Sequence, residues 1–97
     1  MTPEGRVKHM VNEGLKEFRP YVFKFMPVQT GYGSPGLDYF LCAGGQFVAI
    51  ETKVPGKDLT PRQIETKAAI EIAGGKVFVV KDKPSLAEAL SYIRSLL

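Results

Sequence analysis

Two acidic residues and a lysine near the middle of the chain have types and spacing suited to catalysis. Residues 37–42 and 47–53 are predicted to form two strands joined through Gly44-Gly45, because a Gly-Gly pair supplies the positive φ angles of a two-residue hairpin turn. Counting outward from this turn places Asp38 opposite Glu51. Directly opposed side chains have Cβ atoms roughly 4.5–5.5 Å apart, and like charges there are destabilising. The predicted pair therefore requires a compensating group.

A divalent cation is the most economical compensation for two facing carboxylates. Mg²⁺ prefers a few carboxylate oxygens together with water and substrate phosphate. Lys53 projects from the same strand face as Glu51, where its ammonium group can orient or help deprotonate an attacking water and offset charge in the transition state. The pattern is compatible with metal-assisted phosphodiester hydrolysis. A solvated, salt-bridged surface explains the same three residues equally well.

The elements around this hairpin follow from caps, prolines and hydrophobic spacing. Thr2 and Thr60 each precede a proline and are typical helix N-caps, and Ser85 with Glu88 predicts a capping box for a last helix. The apolar faces expected of the three helices are, in turn, Val7, Met10, Val11, Leu15 and Phe18; Ile64, Ala68 and Ile72; and Leu86, Leu90, Ile93 and Leu97.

Two more strands complete the predicted order. Residues 21–28 are rich in β-branched and aromatic types, and residues 76–80 form a short apolar run bounded by turn signals. Three glycines and a proline within residues 31–36 predict an irregular loop before the hairpin. The resulting order, α-β-β-β-α-β-α, indicates an α/β fold.

Composition limits the classes of function. The chain has 97 residues and a formal net charge of +3, which fits a polyanionic partner only weakly. One cysteine, Cys42, and one histidine, His9, exclude an internal disulfide and the usual structural zinc site, and Cys42 is expected to pack as a small apolar side chain. The longest apolar run is residues 39–43, and no signal peptide is evident, so we expect a soluble, cytoplasmic protein.

Five stretches of the sequence together resemble a known family. They are Gly36-Leu37-Asp38-Tyr39-Phe40, Gly45-Gln46-Phe47-Val48-Ala49-Ile50-Glu51-Thr52-Lys53, Gly56, Leu59-Thr60-Pro61-Arg62-Gln63 and Gly74-Gly75-Lys76-Val77. They resemble the VRR-NUC family of the PD-(D/E)xK nuclease superfamily, and the chain looks like one of its small stand-alone, phage-type members. One position departs from the motif, because Leu37 stands where the family has a proline.

The resemblance implies a single nuclease domain spanning residues 1–97, with a restriction-endonuclease-like core in which helices flank a mixed four-stranded sheet. It implies that Asp38, Glu51, Glu4 and the backbone carbonyl of Thr52 bind the metal. It also implies that Lys53 is the catalytic lysine and that Gln63 is an active-site glutamine. Two alternatives remain: Gln63 is equally suited to cap its helix, and Glu4 to occupy a first helical turn as an ordinary acid.

The implied activity is that of a Mg²⁺- or Mn²⁺-dependent DNA endonuclease. Similarity to Holliday-junction resolvases implies branched DNA substrates and a homodimer, and a phage-encoded protein would act in the bacterial cytoplasm. The alternatives are a non-catalytic DNA-binding or assembly module, which Leu37 favours, and an RNA-cleaving relative.

Some residues outside the motif are candidates for contacts with partners. Lys57 and Arg62 flank the predicted site and are candidates for phosphate contacts, with a solvated surface as the alternative. Tyr32 is a candidate for stacking on a base or for filling the core of its own loop. Leu96 and Leu97, at the end of the last helix, are candidates for a dimer interface, although packing on the sheet is the default expectation.

Overall fold

A four-stranded mixed sheet organises the chain, whose computed structural model describes residues 1–28 and 36–97. Its strands are β1 Val22–Phe25, β2 Tyr39–Ala43, β3 Gln46–Thr52 and β4 Lys76–Val80, and they lie side by side in that order. The pairs β1–β2 and β2–β3 are antiparallel, whereas β3–β4 is parallel. The predicted α/β class and element order are confirmed, although β1 is shorter than predicted.

The hairpin between β2 and β3 has the predicted turn and register. Gly44 and Gly45 adopt φ angles of 57° and 77°, as a two-residue turn with two positive φ angles requires. Ala43 pairs with Gln46, and the pairing continues to Tyr39 and Ile50. Asp38, one residue before β2, therefore lies across from Glu51.

Two helices cover one face of the sheet. Helix α1 spans Pro3–Leu15 and continues as a 3₁₀ turn over Lys16–Phe18, and helix α3 spans Lys83–Ser95. The Thr2 side chain caps α1 by accepting a hydrogen bond from the Gly5 amide, as predicted. The core on this side comprises mainly Val7, Val11, Leu15, Phe18, Tyr39, Leu41, Val48, Ile50, Phe78, Val80, Ala89 and Ile93.

Helix α3 begins earlier than predicted. Its N-cap is Asp82, whose carboxylate accepts a hydrogen bond of 2.9 Å from the Ser85 amide, while the Ser85 hydroxyl accepts one from the Asp82 amide. The predicted box between Ser85 and Glu88 is wrong because Ser85 is the third residue of the helix and not its cap. Pro84 fits the first turn, where a missing amide proton costs nothing.

Helix α2, Pro61–Ile72, lies on the opposite face of the sheet, and its predicted apolar side is wrong. Ile64 and Ile72 are 56% and 87% exposed, whereas Thr66 is buried. Ile70 packs against the small cluster around Ala49 and Val77 instead. Successive helix residues point in directions about 100° apart. Because Thr66 and Ile70 face the sheet, Ile64 points towards solvent.

Several other predictions concern the loop before β2, Cys42 and the membrane. The expected loop at residues 31–36 lies, apart from Gly36, outside the described residues, and so does Tyr32. Cys42 is exposed rather than packed, because it projects from the sheet face that α1 and α3 do not cover. Among the described residues, no helix combines the length and apolar character needed to cross a bilayer.

Candidate active site

A cavity of about 340 Å³ opens where β2 begins and β3 ends. Helix α1 and the segment between β3 and α2 complete its walls. Most of its lining side chains are charged or polar: Glu4, Lys8, Asp38, Glu51, Thr52, Lys53, Val54, Lys57, Asp58 and Thr60. The hairpin thus brings residues separated by more than ten positions to one end of the sheet.

The two facing carboxylates are held by the strand opposite each of them. The Asp38 amide donates a hydrogen bond of 3.0 Å to Glu51 Oε1. In return, the amide and the hydroxyl of Thr52 donate bonds of 2.9 and 2.5 Å to Asp38 Oδ2. Hydrogen bonds to a charged acceptor are stronger than those between neutral groups. Both carboxylates are therefore fixed in place before any ligand binds.

Glu51 is harder to ionise than an ordinary glutamate side chain. Its side chain is almost fully buried, and burial together with the nearby charge of Asp38 raises its pKa from 4.5 to about 7. The Asp38 amide and the cations of Lys53 and Lys8 partly oppose that increase. Near neutral pH the pair thus readily binds a proton, and by the same electrostatics it favours a divalent cation.

Two lysines flank the pair, one on each side. Lys53 Nζ lies 3.7 Å from Glu51 Oε2, and its side chain is only 17% exposed. Lys8 Nζ lies 3.7 Å from Asp38 Oδ1 and is 44% exposed. Sequence reasoning missed Lys8; the available signal is its place one helical turn after Glu4, on the same side of α1.

Gln63 caps its helix and also contacts Glu51, while its role as an active-site glutamine stays a prediction. Its Oε1 accepts a hydrogen bond of 3.0 Å from the Thr60 amide, and its own amide donates to Thr60 Oγ1, which completes the predicted capping box. Its Nε2 also donates a bond of 2.9 Å to Glu51 Oε2. The cap fixes the side chain that orients the buried carboxylate, so the two contacts support each other.

Of the remaining predicted site residues, some line the cavity and one does not. Glu4 and Lys57 line the cavity, whereas Arg62 is exposed on α2 and is not among the lining residues. Within residues 1–28 and 36–97, no three His, Cys, Asp or Glu side chains gather closely enough to hold a metal ion. Glu4 thus shares the cavity without forming a three-carboxylate set, and its role as a ligand stays a prediction.

The two carboxylates suit a divalent cation that prefers oxygen ligands. Mg²⁺ commonly uses one or two carboxylates and keeps several waters that substrate phosphate can replace, so it does not need a cage built by the protein alone. Asp38 and Glu51 supply two such carboxylates, and burial disfavours their joint ionisation without a cation. The residues present therefore fit Mg²⁺ or Mn²⁺, and the predicted contribution of the Thr52 carbonyl stays a prediction.

Leu37, which stands at the position of the motif proline, is fully buried beside Ala49 and Val77. The side chain of Leu37, the residue before Asp38 in the sequence, is apolar and adds no charge to the cavity. A scan against models of protein families found no match for the chain, and neither did a search of curated proteins.

Proposed function

We propose that this protein is a metal-dependent DNA endonuclease similar to the VRR-NUC nucleases. The observation that carries the proposal is the meeting of Asp38, Glu51 and Lys53 in one cavity, where β2 begins and β3 ends and where backbone amides hold the two carboxylates. A solvated surface cluster would not require Glu51 and Lys53 to be so little exposed. Their burial favours a site that binds and reacts over a salt-bridged surface.

Asp38 and Glu51 are the residues that would hold Mg²⁺ or Mn²⁺. When bound, the metal would supply Lewis acidity at a phosphodiester oxygen and lower the pKa of water. The Lys53 ammonium group orients the attacking water and opposes the negative charge that develops on the phosphoryl oxygens. Gln63 keeps the Glu51 carboxylate turned towards the cavity, and Thr52 does the same for Asp38.

Cations at the cavity favour a nucleic acid substrate. Lys8, Lys53 and Lys57 all line its walls, and lysines positioned beside phosphates supply much of the affinity for DNA. Branched DNA and a homodimer with one catalytic site per strand follow from the resemblance to junction-resolving nucleases. They belong to the same proposal.

A cleavage assay tests the chemistry and the shape preference together. Four-way junction, flap and linear duplex DNA would be incubated with the protein in the presence and absence of Mg²⁺ or Mn²⁺. We expect metal-dependent cleavage, strongest on the branched substrates. Lys53→Ala should lower it roughly 10²–10³-fold. Lys67→Ala, which removes a partly exposed lysine paired with Glu71 on α2, is the matched control and should cleave like the wild type.

Two outcomes would refute the catalytic proposal: no cleavage of any DNA, and undiminished cleavage by Lys53→Ala. The non-catalytic alternative, whose sequence support is Leu37 in place of the motif proline, is distinguished by calorimetry. If the metal site is functional, the wild type binds Mn²⁺ and Glu51→Ala does not. If the protein is a non-catalytic module, neither protein binds Mn²⁺. RNA versions of the same substrates test the RNA-cleaving alternative directly.

A further inference from the structure

In the described part of the chain, several side chains on the sheet face beside α2 are exposed. Side chains alternate along a strand, so residues next to the core positions of β1, β2 and β3 project away from α1 and α3. Four of them are phenylalanines, which we call the phenylalanine face: Phe23, Phe25, Phe40 and Phe47. Phe23, Phe25 and Phe47 are 70%, 54% and 45% exposed. Helix α2 packs over β4 and leaves these rings uncovered.

A groove borders this face. It has a volume of about 410 Å³ and runs between the sheet and α2, with Phe40 and Phe47 on one side and Ala69, Ile70 and Ala73 on the other. The rings of Phe40 and Phe47 pack with their centroids 5.4 Å apart and form its floor. The same surface therefore carries both protruding rings, Phe23 and Phe25, and an apolar groove next to them.

The exposed rings supply part of the area that an interface needs. Aromatic side chains can bury about 150–250 Å² each, so the exposed parts of Phe23, Phe25 and Phe47 offer roughly 300 Å². The groove walls and the exposed Cys42 add to this area. A standard interface buries about 800 Å² on each partner. The three rings alone thus supply somewhat more than a third of the area that a standard interface buries on one partner.

The lack of charge on the phenylalanine face indicates what kind of partner binds there. The four phenylalanines, Cys42 and the groove residues include no charged side chain, so the face lacks the cations that a DNA backbone requires. In a two-fold dimer each surface patch meets its own copy, and residue i contacts residue j in both directions. An uncharged patch can contact its own copy without electrostatic repulsion. The protruding rings of one copy can also fit the groove of the other copy, and the reverse, around a two-fold axis.

We propose that two copies of this chain associate through the phenylalanine face, with Phe23 and Phe25 of each copy packing into the groove of the other. This assigns a surface to the dimer of the proposed function, and it rests on that proposal only for the biological use of the dimer. Asp38 lies two residues from Phe40, about 7 Å along the strand direction. Each cavity would therefore open near the rim of the interface and stay accessible to DNA.

Sedimentation equilibrium of the full chain over a range of concentrations tests this surface. We expect a dimer whose dissociation constant rises at least about tenfold in Phe23→Glu and in Phe25→Glu, as for other central aromatic contacts. Both side chains are more than half exposed, so circular dichroism should show folded variants. Leu97→Glu, which charges a residue that is 53% exposed at the end of the chain, is the matched control and should leave the dimer unchanged.

Cys42 provides a second readout because it lies beside Phe23 in the strand pairing and is exposed in a single chain. Its reaction with a thiol reagent should slow as the wild-type concentration rises and stay fast in Phe23→Glu. The proposal is overturned by a wild-type monomer at every concentration, by a dimer that tolerates both phenylalanine changes, or by one that Leu97→Glu dissociates. Protection of Cys42 that does not vary with concentration would also overturn it. None of these readouts depends on DNA cleavage, so this proposal and the nuclease proposal can fail separately.

Discussion

Asp38 and Glu51 form a pair that a fold selected for stability alone would avoid. Burial raises the pKa of Glu51 to about 7 beside a second carboxylate, which means that the ionised pair destabilises the folded chain. The Asp38 amide and Gln63 nevertheless hold Glu51 firmly. A rigid arrangement that is costly without a ligand is typical of a binding site, because a cation removes the cost.

The first prediction concerns the pH dependence of stability without metal. The pKa of Glu51 is about 7 in the folded chain against an ordinary 4.5, so between these values the folded state retains a proton that the unfolded state has lost. The free energy of unfolding should fall as the pH rises through this window. Relative to Glu51→Gln, the wild type should lose on the order of 2 kcal/mol between about pH 5 and pH 8.

Urea unfolding of both proteins across this pH range measures that loss. Because only the pH dependence of the difference is used, any constant cost of placing an amide beside Gln63 cancels. Glu65→Gln, which removes an exposed acid on α2, is the control for the loss of one negative charge and should parallel the wild type. Added Mn²⁺ should restore the stability of the wild type near pH 8. Parallel profiles for the wild type and Glu51→Gln would show that the ionisation of Glu51 does not destabilise the fold.

The second prediction concerns Lys8, whose Nζ lies 3.7 Å from Asp38 Oδ1. Lys8→Gln removes a cation that attracts phosphate but repels a metal ion. We expect DNA cleavage to fall at least about tenfold, which corresponds to about 1.4 kcal/mol in the barrier. Mn²⁺ affinity, measured by calorimetry, should stay equal or increase. Lys8→Arg keeps the charge and should retain most of the activity. Loss of Mn²⁺ binding in Lys8→Gln would instead indicate that Lys8 only supports the structure of the site.

At the scale of elements, local chemistry determined what the sequence could predict. The Gly44-Gly45 turn set the register that opposes Asp38 and Glu51, and that prediction is confirmed up to Tyr39 and Ile50. A Cβ on Gly44 would lie 2.2 Å from the carbonyl oxygen of Leu96, so the turn also needs glycine for space. Turn and cap signals act within four residues, and they do not require knowledge of the tertiary fold.

The orientation of α2 could not be predicted in the same way. Ile64, Ala68 and Ile72 form a regular apolar stripe, yet they are exposed, because α2 turns Gln63 and Thr66 towards the sheet. The partner of Gln63 is Glu51, twelve positions away, and hydrophobic periodicity contains no information about such a polar contact. Lys8 was missed for the same reason, since its approach to Asp38 depends on how α1 packs.

The third prediction separates the cap of α2 from its contact with the site. Thr60→Ala removes the side-chain acceptor for the Gln63 amide and should cost about 1 kcal/mol of stability. Gln63→Ala removes the side-chain acceptor for the Thr60 amide and also the donor to Glu51 Oε2. We expect Gln63→Ala to lower cleavage at least about tenfold more than Thr60→Ala does, at a comparable loss of stability. Thermal unfolding and initial cleavage rates measure the two effects. Equal losses of activity in both variants would mean that Gln63 acts only through the helix.

For the whole molecule, the distribution of charge matters more than its total. The formal net charge is only +3, and the cavity combines Glu4, Asp38, Glu51 and Asp58 with Lys8, Lys53 and Lys57. Four carboxylates and three ammonium groups give this region a formal charge of −1, which one divalent cation would change to +1. Metal binding would therefore strengthen the attraction of this region for phosphate.

The last prediction distinguishes Lys57 from Arg62, two basic residues for which the sequence predicts the same phosphate contacts. Lys57 lines the cavity, whereas Arg62 lies on the exposed side of α2 outside it. DNA affinity measured without divalent metal, so that no cleavage occurs, should decrease with salt. Each lost phosphate contact reduces the slope of log affinity against log salt by about 0.9 on duplex DNA. We therefore expect Lys57→Ala to reduce the slope by about one and Arg62→Ala to leave it unchanged. An equal reduction in both variants would mean that DNA extends across α2. In that case the cavity would mark only part of the DNA-binding surface.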